Sequence, residues 1–133
     1  MSRSNRSTVF LLIVALMLLS VHPTNARQAR RHDPNTPEAI PIAVSPDGFL
    51  RKTLSLPQGK YVFVVINRTP LRNMTVTLER MPGASLTDVP LRQEFADQVG
   101  TSRPRLVKSA TLAPGTYRLR VANKNWVSGI IVR

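Results

Sequence analysis

The sequence predicts an all-β domain over residues 39–133, folded as an antiparallel β-sandwich of about seven strands. Three features favour this class: short segments of alternating apolar and polar residues, turns at fairly regular intervals, and little helical periodicity. The chain has 133 residues and no cysteine, so we expect one domain stabilised by apolar packing, without disulfides. The segments with strand character are 40–44, 49–56, 61–66, 74–78, 106–112, 117–121 and 126–132.

The first four segments differ in how much of each is apolar. Residues 40–44 alternate but contain Pro41, which predicts an edge strand because proline cannot donate to a β-ladder. Residues 49–56 place their leucines mainly on one side, as a half-buried strand does. Residues 61–66 (YVFVVI) are apolar on both sides, which predicts a central strand of the core. Residues 74–78 alternate with a period of two.

The second half of the chain is less regular. Residues 84–103 carry no clear period, and within them 91–99 (LRQEFADQV) predict a short helix or an irregular loop. Three more strands follow. In the strand 117–121, Arg118 and Arg120 share the outward side, where we expect them to block pairing with other sheet edges.

The first 26 residues have the pattern of a secretory signal peptide. Arg3 and Arg6 precede an apolar run of 11 residues, 9–19, and small residues end the segment at Ala26. We therefore expect export to the periplasm or the extracellular space. The run is shorter than the roughly 20 apolar residues of a spanning helix, so no stable membrane span is expected after cleavage. Retention as an uncleaved anchor is the alternative.

The exported chain is basic. The full sequence carries a net charge of +12, and loss of the two leader arginines leaves +10. Residues 27–38 are charged, contain proline and have no apolar period, so we predict a flexible basic arm. Such a charge favours anionic partners, namely polysaccharide, a membrane surface or nucleic acid, and the alternative is that it only keeps the protein soluble. We expect the partner to be an anionic polymer or an envelope protein. Nucleic acid is not expected, since the chain is exported and has few aromatic residues on which bases would stack.

Two segments carry a family resemblance. Residues 56–78 (LPQGKYVFVVINRTPLRNMTVTL) and 112–132 (LAPGTYRLRVANKNWVSGIIV) resemble the two conserved segments of the cupredoxins, the blue-copper Greek-key β-sandwiches. The first resembles the family's Pro-x-Gly turn, its central strand ending in asparagine, and the residues that bring its first copper ligand. The second resembles the penultimate strand opening Pro-Gly-Thr-Tyr, the ligand loop and the closing strand. The resemblance implies a cupredoxin-like sandwich.

The copper ligands of the family do not carry over. In this resemblance, Arg72 stands where the family has its first histidine, Val121 where it has cysteine, and Lys124 where it has its second histidine. The axial methionine position falls near Trp126 or Val127. Blue copper needs imidazole and thiolate ligands, so we expect no copper, no other metal and no cofactor.

Catalysis is not expected either. The histidines, His22 and His32, lie in the leader and the arm, away from any base-and-nucleophile pair. The acidic residues of the domain, Glu79 among them on the outward side of its strand, are expected at the surface. No phosphate-binding glycine loop is present.

One cluster is predicted as a binding face. A cupredoxin-like layout brings the loops 67–72 and 122–126 to one end of the sandwich, and with them Arg68, Arg72, Lys124 and Trp126. Arginine and tryptophan are frequent binding anchors, so we expect this end to dock an anionic or protein partner. Two alternatives stay open: Trp126 caps the core while the cations only face water, or the arm and sandwich together bind an anionic polysaccharide or membrane surface.

Overall fold

The computed structural model describes residues 35–133, so the predicted signal peptide, residues 27–34 of the predicted arm, and both histidines lie outside the described residues. Within 35–133 the structure is all-β and contains no helix, which confirms the predicted fold class. It has nine strands: β1 (Glu38–Ser45), β2 (Gly48–Phe49), β3 (Thr53–Leu56), β4 (Gly59–Asn67), β5 (Met74–Arg80), β6 (Arg92–Val99), β7 (Arg105–Leu112), β8 (Gly115–Val121) and β9 (Val127–Val132).

The strands form two sheets. One has four strands in the order β2-β1-β4-β7, and the other has five in the order β3-β9-β8-β5-β6. The pairs β1·β4 and β3·β9 are parallel and the others antiparallel, so the sheets are mixed, where the sequence predicted antiparallel ones. The segment 49–56 splits into β2 and β3 because the chain crosses between the sheets at residues 50–52.

The prediction of a helix or irregular loop at residues 91–99 was wrong, because residues 92–99 form β6. This strand pairs with β5 on one side and has no strand paired with it on the other, so half of its residues are exposed and five of the eight are polar. Phe95 and Val99 alone are buried. A register shift between Leu78 and Glu79 of the partner strand adds an irregularity that hides the period of two.

The core lies between the sheets and takes buried apolar side chains from every strand, most of them from β1, β4, β5 and β8. In β4, Tyr61, Phe63 and Val65 are completely buried, while the alternate residues are half-buried on the outer side. β4 lies between β1 and β7, so it is a central strand of its sheet, as predicted. Its alternating burial shows that only one of its faces is in the core. Within residues 35–133 no helix is long and apolar enough to cross a membrane.

Two tyrosines fix the turns that precede β4 and β8. The hydroxyl of Tyr61 donates to the carbonyl of Pro57 at 2.6 Å, and that of Tyr117 donates to Ala113 at 2.9 Å. Each hydroxyl reaches back four residues from a buried ring, which satisfies a polar atom at the edge of the core. Both turns lie at the same end of the sandwich and cross from one sheet to the other.

Four connections meet at the opposite end, which we call the loop end: residues 46–52, 68–73, 100–104 and 122–126. The strand registers place them together. Val44 is paired with Asn67, Met74 with Val99, and Val76 with Val121, so the strand ends adjoining these connections lie side by side. Backbone hydrogen bonds join the connections to neighbouring elements, among them Arg68 N to Val44 O at 2.8 Å.

Candidate functional site

The loop end is strongly cationic. Its four connections carry one carboxylate, Asp47, against six exposed cations: Arg51, Lys52, Arg68, Arg72, Arg103 and Lys124. None of the six forms an ion pair within residues 35–133. Elsewhere in these residues several cations are paired, since Arg92, Lys108, Arg118 and Arg120 all contact carboxylates. Six of the ten cations without an ion pair in residues 35–133 thus lie at the loop end, and the other four are Lys60, Arg80, Arg105 and Arg133.

Trp126 lies half-buried against the core at this end, directly before β9. The Nζ of Lys124 lies 5.5 Å from the centroid of its indole, a cation–π contact. The indole also packs against Gly48, where an added Cβ would lie 3.1 Å from Cδ1. Gly48 has φ of 108°, so the turn needs glycine both for its backbone and for the close approach of the indole.

The connection 68–73, which carries Arg68 and Arg72, is held by the side chain of Asn67. The Oδ1 of Asn67 accepts from the backbone N–H of Thr69 at 2.9 Å and from its hydroxyl at 2.7 Å. Its Nδ2 donates to the carbonyl of Leu71 at 3.1 Å. Asn67 and Thr69 are both buried, so this small network gives the connection one shape.

The carbonyl of Arg72 is fixed by the connection 100–104. The backbone N–H of Thr101 donates to Arg72 O at 3.2 Å. An added Cβ on Gly100 would lie 1.7 Å from the same oxygen, so no larger residue fits without moving the backbone. The two connections are therefore packed backbone against backbone.

The structure brings the four predicted site residues to one end in two groups. Lys124 and Trp126 are in direct contact, while Arg68 and Arg72 lie in the neighbouring connection, exposed to solvent. A binding role for them stays a prediction. Three further cations of the loop end, Arg51, Lys52 and Arg103, were not singled out from the sequence. They lie in connections with no recognisable motif, and only the strand order places them beside the others.

Glu79 corrects the expectation that every carboxylate of the domain lies at the surface. It points to the outer side of β5, as predicted, but it is buried, as is its partner Arg118. The connection 81–91 folds over this side of the sheet and covers both. The expectation that Arg118 and Arg120 protect a sheet edge was also wrong, because β8 lies between β9 and β5 and is no edge strand.

Several solved blue-copper structures are similar to this chain. Auracyanin A, a "blue" copper protein of Chloroflexus aurantiacus, matches with a TM-score of 0.56 at 12% identity over 74% of this chain and 100% of that one. The auracyanin of Roseiflexus castenholzii matches with a TM-score of 0.56 at 16% identity, over 71% and 96% of the two chains. Rusticyanin matches with a TM-score of 0.53 at 11% identity, over 78% and 87%.

This chain has the cupredoxin fold. No protein-family profile matches its sequence. No curated protein sequence matches it either. At identities this low, the likeness of these structures establishes the fold alone.

The residues at the cupredoxin copper positions do not fit copper. Val121, which stands where the family has its cysteine ligand, is a fully buried aliphatic residue. The chain contains no cysteine at all. Arg72 and Lys124 stand where the family has its two histidine ligands, and both are exposed cations that would repel the metal. Among residues 35–133 no group of three histidine, aspartate or glutamate side chains is placed to hold a metal ion. This cupredoxin-like domain therefore lacks the donor atoms of a blue-copper site.

Proposed function

We propose that this protein is an exported, non-catalytic binding module that docks an anionic partner with the loop end of a copper-less cupredoxin-like fold. The observation that carries the proposal is the set of six exposed cations, none paired with a carboxylate within residues 35–133. Like charges gathered on one surface repel one another, and a bound anion removes that repulsion. The leader pattern of residues 1–26 supports export.

The backbone of the loop end is held in place by specific contacts, which supports binding at this end. Asn67 fixes the connection that carries Arg68 and Arg72, and Gly100 packs against the carbonyl of Arg72. Trp126 is packed on Gly48. Because the backbone of these connections is already fixed, a partner has to order only the cationic side chains when it binds, which favours affinity.

The support for a non-catalytic role comes from side-chain chemistry. Residues 35–133 contain neither histidine nor cysteine. Asp97 is bound by Lys108 at 2.7 Å, and Glu79 is bound by two arginines. The hydrogen bond from Lys108 lowers the pKa of Asp97, which makes this carboxyl a poor general acid, and residues 35–133 offer no imidazole or thiol to act as base or nucleophile.

The predicted N-terminal arm is a further cationic segment of the chain. β1 starts at Glu38, the last residue assigned to the arm, and Glu38 is paired with Tyr61 near the start of β4. The chain therefore enters the sandwich at the end away from the loop end. A variant that neutralises Arg27, Arg30 and Arg31 together tests whether the arm contributes to polyanion binding.

The test compares two double variants with the same charge change. Arg72→Ala/Lys124→Ala removes two loop-end cations, and Lys60→Ala/Arg133→Ala removes two exposed cations from the opposite end. Binding of polygalacturonate and of polyphosphate to each mature protein is measured by calorimetry at low salt. We expect the loop-end variant to lose about 30-fold in affinity, since each cation near an anionic surface contributes about 1 kcal/mol.

The control variant is expected to stay within about threefold of the wild type, because its cations lie away from the contact. The affinity of the wild type should fall steeply as salt is added, through counterion release. Equal losses in the two variants, or no binding of either polyanion by the wild type, would show that the loop end is not an anion-docking surface.

A further inference from the structure

A polar pocket borders the loop end on the side of β6. It has a volume of about 360 Å³ and mostly polar walls. Its lining comes from the end of β6, from the connection 100–104 and from the residue before β5: Asn73, Asp97, Gln98, Val99, Gly100, Ser102 and Arg103. The anion-docking proposal uses Arg103 as a cation and Gly100 as a packing residue, and it gives the polar side chains of Asn73, Gln98 and Ser102 no role.

The lining combines hydrogen-bond donors and acceptors in a small space. Asn73 and Gln98 supply side-chain amides, Ser102 a hydroxyl and Arg103 a guanidinium, and all four residues are exposed. An amide offers a donor and an acceptor side by side, which matches neighbouring hydroxyl groups on a ring. A guanidinium is suited to hold a carboxylate or sulfate through two parallel hydrogen bonds.

Asp97 adds an acceptor whose position is fixed. Its Oδ2 contacts Lys108 Nζ at 2.7 Å, and its Oδ1 accepts from the backbone N–H of Gln98 at 2.8 Å. Lys108 balances its charge, so the carboxylate does not exclude an anionic ligand from the pocket. A fixed acceptor of this kind favours hydroxyl donors over phosphate or carboxylate groups, which have none to offer.

We propose that the anionic partner is an acidic polysaccharide, and that this pocket holds one of its sugar rings by hydrogen bonds to the hydroxyl groups. This inference rests on the proposed function, whose cations supply the charge attraction. A protein anchor would need an apolar pocket, which this one is not. A phospholipid surface would bind the exposed cations. Its simplest headgroups, however, carry no ring of hydroxyl groups that could fill the pocket.

The arrangement of the loop end sets a minimum size for the ligand. The pocket lies beside β6, and the Lys124–Trp126 contact lies at the start of β9, three strands away in the same sheet. Three spacings of about 4.8 Å make roughly 14 Å, more than one sugar ring spans. A ligand that contacts both must be an oligosaccharide, so affinity is expected to rise with chain length.

The test uses a variant that leaves the charge unchanged. Gln98→Ala/Ser102→Ala removes two polar groups from the pocket, and Ser109→Ala/Thr111→Ala removes two exposed hydroxyls from β7 as the matched control. Each mature protein is titrated with oligogalacturonate, with polyphosphate and with phosphatidylglycerol vesicles. We expect the pocket variant to bind oligogalacturonate about tenfold more weakly and polyphosphate as the wild type does, because only the sugar uses these hydrogen bonds.

A second measurement does not depend on any variant folding well. In the wild type, the side-chain amide signals of Asn73 and Gln98 in NMR spectra are expected to shift more with oligogalacturonate than with polyphosphate, which contacts only the neighbouring cations. Equal effects of the pocket variant on both polyanions, unmoved amide signals, or tighter binding to vesicles than to oligogalacturonate would overturn the polysaccharide assignment. Those results leave the anion-docking proposal standing, because that proposal is overturned only by equal losses in the paired cation variants or by a wild type that binds neither polyanion.

Discussion

Arg118 binds Glu79 through two guanidinium nitrogens, with Nε at 2.8 Å and Nη2 at 2.6 Å from the same carboxylate oxygen. The two side chains are 10% and 6% exposed, so the ion pair is buried. Arg120 reaches the other oxygen of Glu79 at 3.2 Å. Nη1 of Arg118 donates to the carbonyl of Leu86 at 2.6 Å, which ties the connection 81–91 to the outer face of the five-stranded sheet.

Replacement of Glu79 by glutamine is expected to destabilise the protein by about 3–5 kcal/mol. The amide keeps the shape of the side chain but removes the negative charge, and Arg118 is then buried without a counter-charge. The free energy of unfolding by urea measures the effect. Hydrogen exchange in residues 82–91 should quicken as well, because the arginine that holds this connection loses its own anchor.

The matched control for Glu79 is Glu94, whose partner Arg92 has a side chain that is 56% exposed. The distance within this pair, 2.7 Å, is nearly the same, but water surrounds the arginine. Glu94→Gln is expected to change the free energy of unfolding by about 1 kcal/mol or less. A loss as large as that of Glu79→Gln would mean that burial is not what makes the Glu79 pair important.

The sequence predicted which face of the sheet the Glu79 side chain lies on, but not that this side chain is buried. A period of two places Glu79 and Arg118 on the outer face of the sheet, and the structure agrees. Periodicity says nothing about whether another part of the chain covers that face. Here Leu86 packs on Gly129, where an added Cβ would lie 3.0 Å from Leu86 Cδ1. The connection 81–91 thereby covers the ion pair. A contact between residues so far apart in sequence leaves no local signal.

The same limit explains β6 and the loop end. β6 is an edge strand, so only Phe95 and Val99 need to be apolar, and such a sparse pattern resembles a loop. The buried strands β4, β5 and β8 were recognisable because packing demands apolar residues at alternate positions. Arg103 and Lys52 could not be grouped with Lys124 from the sequence, because their proximity depends on strand order rather than on spacing.

Gly100→Ala is expected to destabilise the protein by about 1–3 kcal/mol, because the added methyl group forces the backbone of Arg72 to move. The pocket beside the loop end includes Gly100, so its shape changes too. Thermal unfolding and the NMR shifts of residues 72–73 measure the two effects. Gly83→Ala is the control, since nothing lies within 4 Å of its added Cβ, and it should stay within about 0.5 kcal/mol of the wild type.

Asn67→Ala is expected to cost about 2 kcal/mol and to loosen the connection that carries Arg68 and Arg72. The change removes two acceptor contacts to Thr69 and one donor contact to Leu71, in a site with little access to water. Hydrogen exchange of the amides in 68–73 should rise. Asn125→Ala, at an exposed position of the loop end, should leave that exchange unchanged. Unchanged exchange in Asn67→Ala would show that the backbone alone holds the connection.

Lys108 makes the stability of the protein depend on pH through Asp97. The hydrogen bond from Lys108, followed by that from the backbone N–H of Gln98, lowers the pKa of Asp97 below its ordinary value of 3.8. The folded protein thus releases this proton more readily than the unfolded chain. The resulting stabilisation is fully present above the ordinary pKa and is lost as pH falls through the lowered pKa of the folded state.

We therefore expect the difference in free energy of unfolding between the wild type and Asp97→Asn to be constant from neutral pH down to about pH 5, then to shrink in stronger acid. Carboxyl NMR titration reads the pKa of Asp97 directly, and Lys108→Met should raise it toward the ordinary value because the main hydrogen bond is gone. An unchanged titration in Lys108→Met would show that the bridge between β6 and β7 does not persist in solution. Asp97 would then lack the fixed orientation on which its role in the polar pocket depends.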